Sequence, residues 1–109
     1  MVAEDDAETL LEASGHLLSE LIDGNEVEVD DIVSIFFTVT GDLRSAFPAE
    51  AARRMGLGKV ALLCAQEIPV AGSMPMVVRV LMHFLTDRGI DRVSHVYLDG
   101  AESLRDDID

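Results

Sequence analysis

Arg79 is the one cation inside the run Met76–Leu85, MVVRVLMHFL. A guanidinium stays charged at every physiological pH, so in such surroundings it must be paired or must face a polar cavity. Glu67, at the far end of the preceding apolar run, is the candidate partner. A buried Arg–Glu pair that binds nothing and a pair that meets a ligand both fit this spacing. Cys64 stands three residues before Glu67. A lone thiol in an apolar run is ordinarily a small core residue, and no Cys–His arrangement is there to activate it. His16, His83 and His95 lack the two-histidine spacing of a metal site and read as structural or surface residues. Tyr97, in His-Val-Tyr-Leu, can offer its hydroxyl to an anion, although a half-buried strand tyrosine is the plainer reading. Arg53, Arg54 and Arg105 complete a sparse cationic set that would suit a small carboxylate ligand if gathered in one place. Gly56-Leu57-Gly58-Lys59 is too short for a phosphate loop and has Val60 where a hydroxyl should follow the lysine.

The elements that must carry these residues follow from periodicity. Apolar residues from Leu10 to Ile22 recur at three-to-four spacing, which predicts an amphipathic helix over Ala7–Ile22, capped by Asp5 or Asp6 and ended by a left-handed Gly24. Ile32–Thr40 is β-branched, aromatic and apolar on both faces, the pattern of a central strand. Pro48 suits the first turn of a short helix to Met55, with Gly56 closing it. Lys59–Gln66, Met76–Leu85 and Val93–Leu98 read as three further strands. The order predicts one α+β domain over residues 1–109, with a mixed β-sheet and one long and one short helix. Two helices cover only one face of such a sheet, so oligomerisation is expected to bury the other.

Composition narrows the partners. With 109 residues the chain is long enough for one modest core and too short for two. Its net charge of −13 argues against nucleic acid and against anionic membrane surfaces. Hydrophobic residues make up 49% of the chain, which argues for a folded domain rather than an acidic tail. A single cysteine excludes an internal disulfide, and no stretch approaches the ~18 apolar residues of a membrane span. The opening Met-Val-Ala-Glu-Asp-Asp has neither the basic nor the apolar region of a signal peptide, so a cytoplasmic protein is expected. Every Lys and Arg lies at or beyond Arg44, while carboxylates crowd the first third.

The order of residues resembles the AroH-type (Bacillus-type, trimeric) chorismate mutases from about Asp5 to Asp107. The resemblance is carried by Thr40-Gly41-Asp42-Leu43 leading to Phe47-Pro48-Ala49, then Cys64-Ala65-Gln66-Glu67, Arg79-Val80-Leu81, His95-Val96-Tyr97-Leu98 and Leu104-Arg105. It implies a cofactor-free Claisen rearrangement of chorismate to prephenate in aromatic amino-acid biosynthesis. The site implied is a cleft between subunits of a homotrimer whose sheets form a pseudo-α/β-barrel. In that resemblance Arg79 falls at the ether oxygen and a substrate carboxylate, Cys64 and Glu67 at the ring hydroxyl, and Tyr97 at the side-chain carboxylate. Phe47, Ala49, Arg53 and Leu63 match a wall supplied by the adjacent subunit, and Leu104 and Arg105 a C-terminal cover. Phe47, Cys64 and Glu67 are thus expected to face Arg79 and Tyr97 from a neighbouring chain.

One departure is visible. Members of the family begin with a strand bearing an Arg-Gly motif, whereas here Met1-Val2-Ala3 joins just ahead of the first helix. The expected consequences are an open sheet edge and a site with one cation fewer. Two alternatives accompany the mutase reading: a non-catalytic or regulatory protein of the same fold that binds a chorismate-like dicarboxylate, and a trimeric α+β enzyme of other chemistry, such as a RidA-like deaminase. The ordered blocks argue against the latter.

Overall fold

The computed structural model describes residues 1–98. Leu104 and Arg105 lie outside the described residues. Helix α1 spans Ala7–Gly24, strand β1 Ile32–Val39, helix α2 Ala49–Arg54, strand β2 Ala61–Gln66 and strand β3 Val78–Phe84, with single 3-10 turns at Val29–Asp31 and Ile90–Arg92. The sheet order is β2-β1-β3, so β1 is central as its two-faced apolar sequence requires. β1 runs parallel to β2 through the α2 crossover and antiparallel to β3. The fold is α+β with one mixed sheet, one long helix and one short helix.

Alternation along β1 divides the molecule. Ile32, Ile35 and Phe37 point into a core closed by Leu18 of α1, by Ala49 and Ala52 of α2, and by Leu57. The alanines of α2 let the two helices approach closely while both lie on the sheet. A second cluster joins Val2, Leu10, Leu43 and Val78. On the opposite sheet face Leu63 is 58% exposed and Leu81 is also exposed.

Two local expectations are corrected. Gly24 does not end α1 in a left-handed conformation: it is the last helical residue, Asn25 caps the helix at φ −106°, and Glu26 takes the positive φ of 52°. Asn25 governs this because its side-chain Nδ2 donates to Leu21 O at 2.9 Å, doing at the helix end what a glycine turn would otherwise do. At the other end the cap is as expected, with Asp6 accepting from Thr9 N–H at 3.1 Å. Gly56, at φ 84°, closes α2.

Val93–Leu98 is not a strand. Despite its β-rich composition it joins no backbone ladder, and the Asn25 side chain bonds to it instead. Asn25 Oδ1 accepts from Ser94 N–H at 2.7 Å and Nδ2 donates to Ser94 O at 3.0 Å, a side-chain copy of one β-bridge. Among the described residues strand β3 is accordingly a sheet edge, and Val2 N–H meets Met76 O at 2.7 Å just ahead of it.

Candidate functional site

Register brings the chemistry together. Thr38 of β1 is paired with Ala65 of β2 on one side and with Arg79 of β3 on the other, on the face away from the core. One residue past β2, Glu67 is tied back by its N–H to Val39 O at 2.8 Å, which returns its side chain to that same face. There Glu67 Oε2 lies 3.3 Å from Arg79 Nε and also accepts from the Thr38 hydroxyl. The Arg–Glu pairing expected from sequence is present, but it is not a buried pair: Arg79 is 52% exposed and Glu67 22%. A pair this exposed contributes about 0–1 kcal/mol to stability, so its geometry matters more than its strength.

Arg79 opens into a cavity of about 600 Å³. Leu17 and Leu21 of α1, Phe36 and Leu63 of the sheet, and Tyr97 of the C-terminal segment form its mostly apolar wall. Thr38 and His95 also line it. A fixed cation with a few polar groups in an apolar recess is suited to an organic anion, since the walls exclude water while the guanidinium neutralises charge. Among the described residues no group of three or more His, Cys, Asp or Glu side chains is placed to hold a metal ion.

The approach to Arg79 is fixed by the Thr40-Gly41-Asp42 turn. Thr40 Oγ1 donates to Asp42 Oδ1 and accepts from Val77 N–H at 3.0 Å, while the Asp42 carboxylate receives Met76 N–H at 3.1 and 3.2 Å. Met76 sits at φ 55°, a left-handed conformation unfavourable for a residue with a side chain, and these bonds hold it there. Thr40's hydroxyl, then the Met76 N–H, keep the Asp42 carboxyl below its ordinary value. The turn thereby sets where β3 begins, one residue before Arg79.

The other sequence candidates divide by location. Glu67 meets Arg79 within one chain, which corrects the expectation that it would face Arg79 from a neighbour. Leu63, expected in a neighbour's wall, lines the same chain's cavity as Arg79. Cys64 is on the opposite side of β2, packed against the core beside Phe37, and is not brought to the pair. Ala49 is 2% exposed within the core, so its side chain forms no wall. Phe47, at 74% exposure, and Arg53, which pairs with Glu50 at 3.3 Å, are exposed and do not line the Arg79 cavity. Thr38 was missed, and His95, read from sequence as a structural or surface residue, lines the cavity. Alternation in Ile32–Thr40 does place Thr38 opposite to Phe37, but only the strand register sets it beside Arg79.

The model of the family described as chorismate mutase type I matches residues 1–108. This chain belongs to that family. It is 47% identical over 109 residues to the chorismate mutase AroH of Thermus thermophilus, covering 99% of this chain and 89% of that protein. Identity to the chorismate mutase AroH of Bacillus subtilis is 35% over 108 residues, covering 98% and 85%. A solved chorismate mutase from Clostridium thermocellum superposes with a TM-score of 0.91 at 46% identity, over 94% of this chain and 91% of that one.

Proposed function

We propose that this chorismate mutase, an isomerase, converts chorismate to prephenate with Arg79 as the catalytic residue and Glu67 and Tyr97 as its partners. The rearrangement breaks an ether C–O bond and forms a C–C bond within one molecule, and no proton is transferred. Two tasks remain for the protein: to hold the flexible dianion in its compact reactive shape, and to stabilise charge that grows on the ether oxygen. Arg79 answers the second. Its Nε faces Glu67, which leaves the Nη groups for the ether oxygen and a carboxylate, a fork that a lysine could not reproduce. The apolar walls raise the worth of that charge by keeping water away. Tyr97 and Arg105 attract carboxylates, and Glu67 takes the ring hydroxyl on the oxygen not shared with Thr38.

The full chain, residues 1–109, acts as one domain of a cytoplasmic homotrimer in aromatic amino-acid biosynthesis. Exposed Leu63 and Leu81 on the sheet face, exposed Phe47 and Arg53 outside the cavity, and the cavity's open side support a site completed by a neighbour. Leu104 and Arg105 are assigned to substrate binding by the family resemblance alone. Among the described residues no helix is long and apolar enough to cross a membrane.

The single observation that carries this reading is Arg79, paired with Glu67, in the wall of an apolar recess, in a chain of this family. Following chorismate loss while assaying prephenate tests it: each chorismate lost should appear as one prephenate. Loss without prephenate would indicate another chorismate-consuming reaction, and binding without loss would indicate a non-catalytic dicarboxylate-binding protein.

A further inference from the structure

Glu67 has three side-chain torsions beyond a backbone anchored only by its N–H on Val39 O. A half-exposed ion pair does not by itself hold such a side chain in one place, because the torsional freedom lost offsets the attraction gained. Thr38 supplies the missing constraint. It lies on the central strand directly across from Arg79, and its hydroxyl donates to Glu67 Oε2, the oxygen that also faces Arg79 Nε. One carboxylate oxygen thus joins a rigid central strand to the guanidinium on the edge strand β3.

We propose that Thr38 is a positioning residue for the rearrangement: by pinning Glu67 it holds Arg79 through Nε and keeps both Nη groups available to the substrate. Thr38 itself acts on no reacting atom, since its one hydroxyl proton is committed to Glu67. Nothing in the chain's motifs marks this residue; its role comes from the register that seats it between the ends of the pair. The proposal rests on the mutase reading above, and its test separates the two.

The experiment compares the wild type with Thr38→Val, Thr38→Ser, Glu67→Ala and the Thr38→Val/Glu67→Ala double variant, each checked for folding by its thermal transition. Valine keeps the branched strand shape and removes the hydroxyl, whereas serine keeps the hydroxyl and removes a methyl. Thr38→Val should lower kcat roughly 10- to 100-fold and raise KM only several-fold, the pattern of a misplaced group that matters more to the transition state than to the ground state. Thr38→Ser should stay within about threefold of wild type, and Thr38→Val should change kcat less than about twofold once Glu67 is alanine. Calorimetric titration with prephenate gives a readout without turnover, on which Thr38→Val should bind several-fold more weakly than Thr38→Ser. A wild type that makes no prephenate rejects the mutase reading, and the titration then decides Thr38. An active wild type with full kcat in Thr38→Val, equal losses in the serine and valine variants, or an undiminished valine effect in the Glu67→Ala background overturns the role of Thr38.

Discussion

Glu67 Oε2 and Arg79 Nε lie 3.3 Å apart within one chain, so the charge pair at the centre of the site is set by intrachain strand register and not by assembly. The two residues have different tasks. Glu67→Gln keeps one carbonyl oxygen as an acceptor, places an amide NH2 at the other position and loses the charge facing Arg79. Its kcat should fall about tenfold, equivalent to ~1.4 kcal/mol of barrier. Steady-state kinetics on chorismate checks this, and a loss as large as that of Arg79→Lys would assign Glu67 a direct electrostatic part in the reaction.

Acid stability should report the turns that frame the sheet. Hydrogen bonds from Arg44 N–H and from Ser45 hold Asp5 below its ordinary 3.8, and bonds from Thr40 and Met76 do the same for Asp42. A carboxyl whose folded pKa is depressed stabilises the fold fully above its unfolded value, and that contribution is lost as pH falls through the folded pKa. The thermal midpoint should therefore hold level down to about pH 5 and decline below about pH 4. Asp42→Asn and Asp5→Asn should each lower the midpoint at neutral pH and flatten the decline, as read by calorimetry across pH. An unchanged slope in both variants would contradict these bonds.

Asn25 should control the segment that carries His95 and Tyr97. Its buried amide makes both bonds to Ser94 and one to Leu21 O, so Asn25→Ala leaves the Ser94 N–H and C=O without their partner, while Leu21 O keeps the Asn25 backbone N–H. The expected cost is ~1–3 kcal/mol of stability. Hydrogen exchange provides the local test, with protection of the Ser94 amide lost in the variant while that of β1 is kept.

Much of the architecture was legible because it follows from periodicity. The two-faced apolar run of Ile32–Thr40 could only be a central strand, and Pro48 and Gly56 bounded α2 as their backbone preferences require. Val93–Leu98 was misread for a physical reason: β-rich composition signals a strand only where a ladder partner exists, and here an asparagine side chain provides the partner. Gly24 was misread because Asn25 caps the helix with its own amide. At the site, the pairing of Arg79 with Glu67 could be inferred from an unpaired charge in an apolar run. Register could not, and it is register that selects Thr38, returns Glu67 to its own chain's Arg79 and turns Cys64 to the core.

The exposed sheet face predicts assembly. Light scattering of the wild type at micromolar concentration should give the mass of three chains. Leu81→Glu places a carboxylate on that apolar face and should yield monomers with little activity, both changes arising together. A wild-type monomer that is fully active would contradict a site completed between subunits.

The most direct measurement is the kcat of Arg79→Lys on chorismate beside that of the wild type, with the assembled mass shown to be equal. Lysine keeps the charge but loses the planar fork that serves ether oxygen and carboxylate together. The loss should match that of one preorganised oxyanion donor, ~2.7 to 4 kcal/mol of barrier or roughly 10²- to 10³-fold in kcat, with KM changing far less. An Arg79→Lys protein that keeps near-full kcat in an intact assembly would make Arg79 a structural member of an ion pair, and would contradict the mechanism given for this chain.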